Sequence, residues 1–199
     1  VAGPAEAAEV ADRVLAEVLQ VDEDGPVEVS HGSDREEHEL RLRVEAMRSW
    51  IEPVLAAIVG APAARDRDGD YVVDLGRSRV FVAPRARPGR PAVVRVFAIT
   101  NAGLELTPEL GLYLARLNFS LTFGRFSVDA DHGAVWFDET LLGDHTTPDE
   151  LNFTVQMVAS TASAWDGRIA EIFGGRTRLQ SEPPGLVAGS RKPGEGGYL

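Results

Sequence analysis

The fold is decided by residues 111–144, GLYLARLNFSLTFGRFSVDADHGAVWFDETLLGD, and by residues 146–173, TTPDELNFTVQMVASTASAWDGRIAEIF. The first stretch begins with helical spacing and then alternates on both sides of a turn at residues 131–133, which is typical of a β-hairpin. The second opens with TPDE at residues 147–150, a capping box with proline at the first helical position. Its apolar residues recur at steps of four and three, so it predicts one long helix with a stripe facing the sheet.

Upstream of this stretch, the residues between 71 and 99 predict a three-strand antiparallel meander. The predicted strands, rich in β-branched and aromatic residues, are residues 71–75, 79–84 and 92–99. Turn sequences at residues 76–78 and 87–90 separate them. Thr107 and Pro108 then mark the start of a helix that we expect to end within residues 118–121.

Two further helices are predicted before the meander, at residues 4–20 and 35–58, because apolar residues recur there at helical spacing. Residues 22–34 combine acidic residues, glycine and proline, which predicts a linker. Pro53 lies inside the second helix. Because proline removes a backbone donor and clashes with the preceding turn, we expect a kink or a restart near Trp50.

These elements predict an α+β fold. An antiparallel sheet of about five strands follows the chain order α-β-β-β-α-β-β-α, with the helices packed on one face and an N-terminal helical extension. We divide the chain into an N-terminal helix with an acidic linker (1–34), the α+β domain (35–175) and a Gly/Pro-rich C-terminal tail (176–199). The tail has too few apolar residues to fold alone, so it is disordered or docks in a groove through Tyr198 and Leu199.

Composition excludes several classes of function. The chain has 20 Lys and Arg against 31 Asp and Glu, a net charge of -11, whereas general nucleic-acid binders need an excess of cations. It has no Cys, which excludes disulfides, thiolate catalysis and cysteine-ligated metals. No apolar run reaches the roughly 20 residues of a membrane span, and residues 1–20 lack the pattern of a signal peptide. We therefore expect a soluble, cytoplasmic protein with no nucleic-acid or membrane partner.

A basic strip lies between residues 77 and 95, where six arginines occur without an acidic residue. Two interpretations stay open: solvated arginines on a hairpin, or a surface that contacts acidic segments. Our candidate protein-binding residues are Arg79, Arg85, Arg87 and Arg95 of this strip, together with Trp136. Phe97, Phe153 and Trp165 are further aromatic candidates for a groove, although each aromatic is also typical of a core.

The sequence offers no carrier for catalysis or metal binding. Asp66, Asp68 and Asp70 alternate like the first ligands of a calcium loop, but Tyr71 replaces the required glycine and Arg77 replaces the bidentate acid. The cluster of Asp129, Asp131 and His132 is explained by a hairpin turn, and no two histidines have ligand spacing. No nucleophile elbow or phosphate-binding loop is present in the sequence. We predict no catalytic residue, no cofactor and no metal site.

The order of elements over residues 35–175 resembles the type III secretion chaperone-like fold that the YbjN-like family shares. The resemblance rests on Leu117-Asn118 at a helix end, a strand from residue 123, the strand residues 136–139 and the long helix at residues 151–173. It implies a non-enzymatic module that holds a protein or peptide client on its sheet or in an apolar groove, often as a dimer.

Three functions remain open on the sequence alone: a client-binding chaperone, a regulatory or assembly subunit of a stable complex, and a small-molecule sensor or undetected enzyme. The helix stripes and two sheet faces offer more apolar surface than one layer packing uses, so we also predict a homodimer or a larger assembly.

Overall fold

The computed structural model describes residues 32–177 of the chain. The helices of this part are α1 (Gly32–Val59), α2 (Pro108–Ser120) and α3 (Pro148–Phe173). Its strands are β1 (Ala64–Arg65), β2 (Tyr71–Leu75), β3 (Ser78–Arg85), β4 (Val93–Ala102), β5 (Arg125–Asp129), β6 (Ala134–Leu142) and β7 (Arg176–Thr177). The helix predicted at residues 4–20, most of the predicted linker and the tail beyond residue 177 lie outside the described residues. The division of the chain at residues 34 and 175 stays a prediction.

The described strands form one antiparallel sheet in the order β1-β2-β3-β4-β6-β5, and β7 pairs with the end of β4. The predicted meander (β2, β3, β4) and the predicted hairpin (β5, β6) are confirmed. The sheet has seven strands rather than five, because β1 and β7 were not predicted. Each of them has two residues, which is too short for a period-two pattern to be visible in a sequence.

The three described helices pack on one face of the sheet. Ile51 and Leu55 of α1, Leu110 of α2, and Val155 and Val158 of α3 are buried in a single core with the strands. α3 contacts β3, β4 and β6, and α2 contacts β5. The sequence prediction that helices cover one face is confirmed, and none of the helices within residues 32–177 covers the opposite face, where Phe81, Ala83 and Phe97 form a second, smaller cluster.

α1 runs without interruption through Pro53, so the restart expected near Trp50 is wrong. Pro53 has no N–H to donate to the carbonyl of Ser49, and both residues are exposed. The helix also begins at Gly32, earlier than the predicted end of the linker at residue 34. The proline therefore costs one helical hydrogen bond without ending the helix.

Both predicted helix starts are confirmed by their caps. The side chain of Thr107 accepts a hydrogen bond from the backbone N–H of Leu110, and Thr147 accepts one from Glu150. Pro108 and Pro148 occupy the first helical positions. Gly174 caps the C-terminus of α3, and its φ of 75° suits a residue without Cβ. In each helix, the capping threonine and the proline after it thus set the residue at which the helix begins.

The edge strand β5 is joined to α2 by one side chain. Asn118 donates from Nδ2 to the carbonyl of Phe126 at 2.9 Å and accepts at Oδ1 from the N–H of Phe126 at 2.7 Å. The amide therefore occupies the place of a neighbouring strand at this residue. Gly124 precedes β5 with a φ of 68°, beneath the ring of Phe137.

Candidate functional site

The sheet surface that no described helix covers, called here the helix-free face, is built from the second side of the five longest strands. One cross-strand row follows directly from the register: Val72, Phe81, Phe97, Asp138 and Arg125 are successive partners on β2, β3, β4, β6 and β5. Because residues two apart on a strand share a face, the neighbouring rows contain their i±2 residues. The row places an apolar end and a charged end on one continuous surface.

Three rings form an aromatic stack at the middle of this face. Phe97 lies between Phe81 and Trp136, with centroid separations of 5.1 and 5.0 Å and interplanar angles of 15° and 14°. Phe97 is 2% exposed and Phe81 8%, whereas Trp136 is half-buried. The indole Nε1 of Trp136 is enclosed and has no acceptor within the described residues. Trp136 is consequently the member of the stack that a partner can reach.

Arg95 covers this stack. Its guanidinium carbon lies 5.0 Å from the centroid of Phe97 and 5.2 Å from that of Trp136. The guanidinium also contacts Asp138, at 3.4 Å from Nε to Oδ2 and 3.4 Å from Nη2 to Oδ1. Nη2 of Arg125 approaches the same carboxylate at 3.6 Å, and the hydroxyl of Ser127 donates to it at 3.0 Å. Asp138 is 2% exposed, so its charge is enclosed by these donors.

Two further arginines of this face are held by short, bidentate contacts. Arg79 donates to both carboxylate oxygens of Asp74 at 2.9 and 3.0 Å, and these bonds raise the pKa of Arg79. Arg85 donates to Oδ2 of Asp70 at 2.7 Å, and its Nη1 lies 2.5 Å from Oδ1. Burial raises the pKa of Asp70, although Arg85 opposes this shift. Each of these carboxylates thus has its own arginine.

The structure brings together four of the five candidate residues predicted from the sequence. Arg79, Arg85, Arg95 and Trp136 lie on the helix-free face, while Arg87 lies in the loop that follows β3 and is exposed. Sequence reasoning missed Phe81, Arg125 and Asp138. Alternation in β3 did not say which side faced the helices, and only the register places Asp138 between arginines from two other strands.

The other aromatic candidates do not join this face. Trp165 packs against the main core and is half-buried, with the guanidinium of Arg168 5.4 Å from its ring centroid. Phe153 is 55% exposed on α3, where it makes an edge contact with Phe123 at 5.7 Å, so its interpretation as a core residue is wrong. Phe153 lies outside the apolar stripe of α3, which explains its exposure.

The acidic clusters have structural roles. Oδ1 of Asp66 accepts hydrogen bonds from the N–H groups of Asp68 and Asp70, which closes the turn before β2. Asp129 accepts in the same way from Asp131 and His132, and its Oδ2 lies 3.0 Å from Nδ1 of His132. The interpretation of Asp129, Asp131 and His132 as turn residues agrees with these bonds. Within residues 32–177, no group of three acidic or histidine side chains is arranged to hold a metal ion.

The model of the TY-Chap1 family, "T3SS (YopN, CesT) and YbjN peptide-binding chaperone 1", matches residues 45–181. The chain belongs to this family. TY-Chap1 proteins are peptide-binding chaperones, so the resemblance drawn from the sequence is confirmed, as is the chaperone-like, protein-binding class of function. No curated protein matches the chain.

Several solved structures share part of this TY-Chap1 chain's shape. A chain of the ExsC-ExsE complex is 17% identical with a TM-score of 0.47, covering 60% of this chain and 92% of its own. A chain of the HopA1-SchA chaperone-effector complex is 8% identical, with a TM-score of 0.47 over 60% of this chain and 92% of its own. The Yersinia pestis type III secretion chaperone SycH, in complex with a YscM2 fragment, is 18% identical, with a TM-score of 0.44 over 59% of this chain and 98% of its own.

Among the described helices, none is long and apolar enough to cross a membrane.

Proposed function

We propose that the protein binds an extended segment of a client protein across the helix-free face of its sheet. The observation that carries this proposal is the aromatic stack with Arg95 above it, on a surface formed by strands alone in the described chain. Membership of a peptide-binding chaperone family supports it. Tryptophan and arginine are also the side chains that contribute most often to the energy of protein interfaces.

The candidate residues have different parts in this proposal. Trp136 supplies the apolar contact, because its ring is half-buried while Phe97 beneath Arg95 is enclosed. Arg95 supplies donors for a client carboxylate, whereas Arg79 and Arg85, each paired with an aspartate, offer their remaining N–H groups to client carbonyls. Arg87, exposed in the loop after β3, extends the surface beyond the sheet. The role is non-enzymatic, as the family description of a chaperone supports.

Selection from a displayed library of random peptides on the immobilised chain tests the proposal. A selected peptide is then added to a Trp50→Phe/Trp165→Phe variant, which leaves Trp136 as the only one of the chain's three tryptophans. We expect the peptide to change the fluorescence of Trp136, because the ring passes from partial solvent contact into an interface. The matched control is Trp136→Phe, which retains Trp50 and Trp165 on the helix side and should respond little.

Two results would count against this function. The first is a library that yields no enriched peptide. The second is a selected peptide that changes the fluorescence of the Trp136→Phe variant as strongly as that of the variant retaining Trp136.

We also propose that the protein forms a homodimer through the outer side of α2. Leu112 and Phe119 are 54% and 95% exposed, and they lie seven residues apart, so both project from the same side of the helix. Val128, on the neighbouring edge strand β5, is 41% exposed. Large apolar side chains exposed on neighbouring elements are typical of a protein–protein surface.

A further inference from the structure

The charges around Asp138 do not balance. Arg79 pairs with Asp74 and Arg85 with Asp70, one cation for each anion. Arg95 and Arg125, called here the arginine pair, approach the single carboxylate of Asp138. Among the ion pairs that residues 32–177 form, this one therefore has one positive charge in excess.

The distances show which arginines can accept another anion. Arg79 and Arg85 hold their carboxylates at 2.9 Å and 2.7 Å, which are normal lengths for charge-assisted hydrogen bonds. The arginine pair stands 3.4 and 3.6 Å from Asp138. The side chain of Arg125 is 69% exposed, so most of its donors face solvent rather than Asp138. The arginine pair is thus the incompletely satisfied part of the surface.

Resting on the proposed function, we infer that the client of the helix-free face is an acidic peptide segment, and that one of its Asp or Glu carboxylates binds between Arg95 and Arg125. Arg95 also covers Phe97 and Trp136, so a residue adjacent to that carboxylate lies near the aromatic stack. The preferred segment consequently combines an acidic residue with a neighbouring apolar one. Charge complementarity with the surplus guanidinium selects this client over a neutral or basic segment.

A single-stranded nucleic acid also combines anions with aromatic partners, but the geometry favours a peptide. Bases bind by stacking on free ring faces, whereas Phe97 has Phe81 on one side and Trp136 on the other at about 5 Å. The net charge of -11 also repels a chain that carries one phosphate for each nucleotide. Nucleic-acid binding is therefore the competing outcome of the test.

The test uses a selected peptide, its Glu→Gln or Asp→Asn analogue, and the full chain with Arg125→Gln. Arg125→Gln leaves Asp138 with Arg95 and Ser127, so the fold has a balanced pair while the surplus charge is gone. We expect the substitution and the neutral analogue each to weaken binding roughly ten- to hundredfold, as for a hydrogen bond to a charged group. Combining them should add little further loss, because both remove the same contact. Arg116→Gln, an exposed arginine on α2, is the matched control and should leave affinity unchanged.

The outcomes separate this inference from the proposed function. Selected peptides that are neutral or basic, or that bind Arg125→Gln as tightly as the wild-type chain, overturn the inference; binding that still depends on Trp136 leaves the proposed function standing. Additive losses from the two changes overturn the inference as well, because the two groups then act apart. Displacement of the labelled peptide by oligothymidylate overturns the assignment to an acidic peptide.

Discussion

The side-chain amide of Asn118, at the end of α2, bonds to both the N–H and the C=O of Phe126 in the edge strand β5. An edge strand leaves alternate backbone groups without a partner strand, and here the amide satisfies two of them. The same contact holds the last turn of α2 against the sheet, since Phe126 is itself buried in the core at 3% exposure.

We predict that Asn118→Asp lowers the free energy of unfolding by about 1 to 3 kcal/mol, because the carboxylate loses the Nδ2 donor and sets an oxygen against the Phe126 carbonyl. Urea unfolding followed by tryptophan fluorescence measures this loss. Asn152→Asp is the control: Asn152 is exposed at the fifth position of α3, near the helix N-terminus, where a negative charge should change stability little. Equal stability of the two variants would show that Asn118 is only a helix-end residue.

The sequence marked Asn118 as the end of a helix but did not reveal its partner. Asparagine near a helix end is typical of local capping, and the bond to Phe126 spans a turn whose geometry depends on Gly124. Helix starts were predictable because a cap involves residues three apart. The bonds from Asn118 to the edge strand depend on how α2 packs against the sheet, which no local sequence pattern indicates.

Gly124→Ala should destabilise the chain by about 2 kcal/mol or more. The residue has a φ of 68°, which costs about 1 to 2 kcal/mol for a residue with Cβ, and the added methyl would overlap the fully buried ring of Phe137. Gly111→Ala is the matched control, because Gly111 lies in α2 with nothing within 4 Å of an added Cβ. That control should gain up to about 1 kcal/mol from helix propensity. Losses of the same size at both positions would contradict this account.

The pH dependence of stability should reveal Tyr71. Burial raises its pKa from 10.0 to about 12, and its hydroxyl donates to Oε1 of Glu52 on α1 at 2.8 Å. Because the folded pKa lies above the unfolded one, the stability that Tyr71 contributes is fully present below pH 10 and is lost as the pH rises through about 12. The loss by about pH 12 is about 2 kcal/mol.

Urea unfolding at about pH 9 and about pH 11.5 tests this expectation. Lys192 is the only lysine of the chain, so lysine titration contributes little over this range. Tyr71→Phe should flatten the decline in stability, because phenylalanine has no proton to lose. Parallel declines in the wild-type chain and in Tyr71→Phe would assign the alkaline effect to other groups.

The candidate site was predictable in its residue types and only partly in its arrangement. Arginines free of acidic neighbours between residues 77 and 95 pointed to Arg79, Arg85 and Arg95, and these lie on one face because β3 and β4 alternate in register. The acidic partners Asp70, Asp74 and Asp138 came from other strands or turns. Strand pairing therefore decides which arginine has an aspartate of its own and which shares one. The sequence between residues 77 and 95 could not show this.

Phe119→Asp should convert the proposed homodimer into a monomer. The ring of Phe119 is 95% exposed on the same side of α2 as Leu112, so a charge there would be desolvated in a dimer but remains in water in the monomer. The free energy of unfolding of the monomer should change by no more than about 0.5 kcal/mol, because the residue makes few contacts within the chain. Light scattering across micromolar concentrations measures the mass. Leu42→Asp, at an apolar position on α1 with 56% exposure, is the control and should retain the dimer. A wild-type chain with the monomer mass throughout, or a dimer that survives Phe119→Asp, would exclude this surface as the interface.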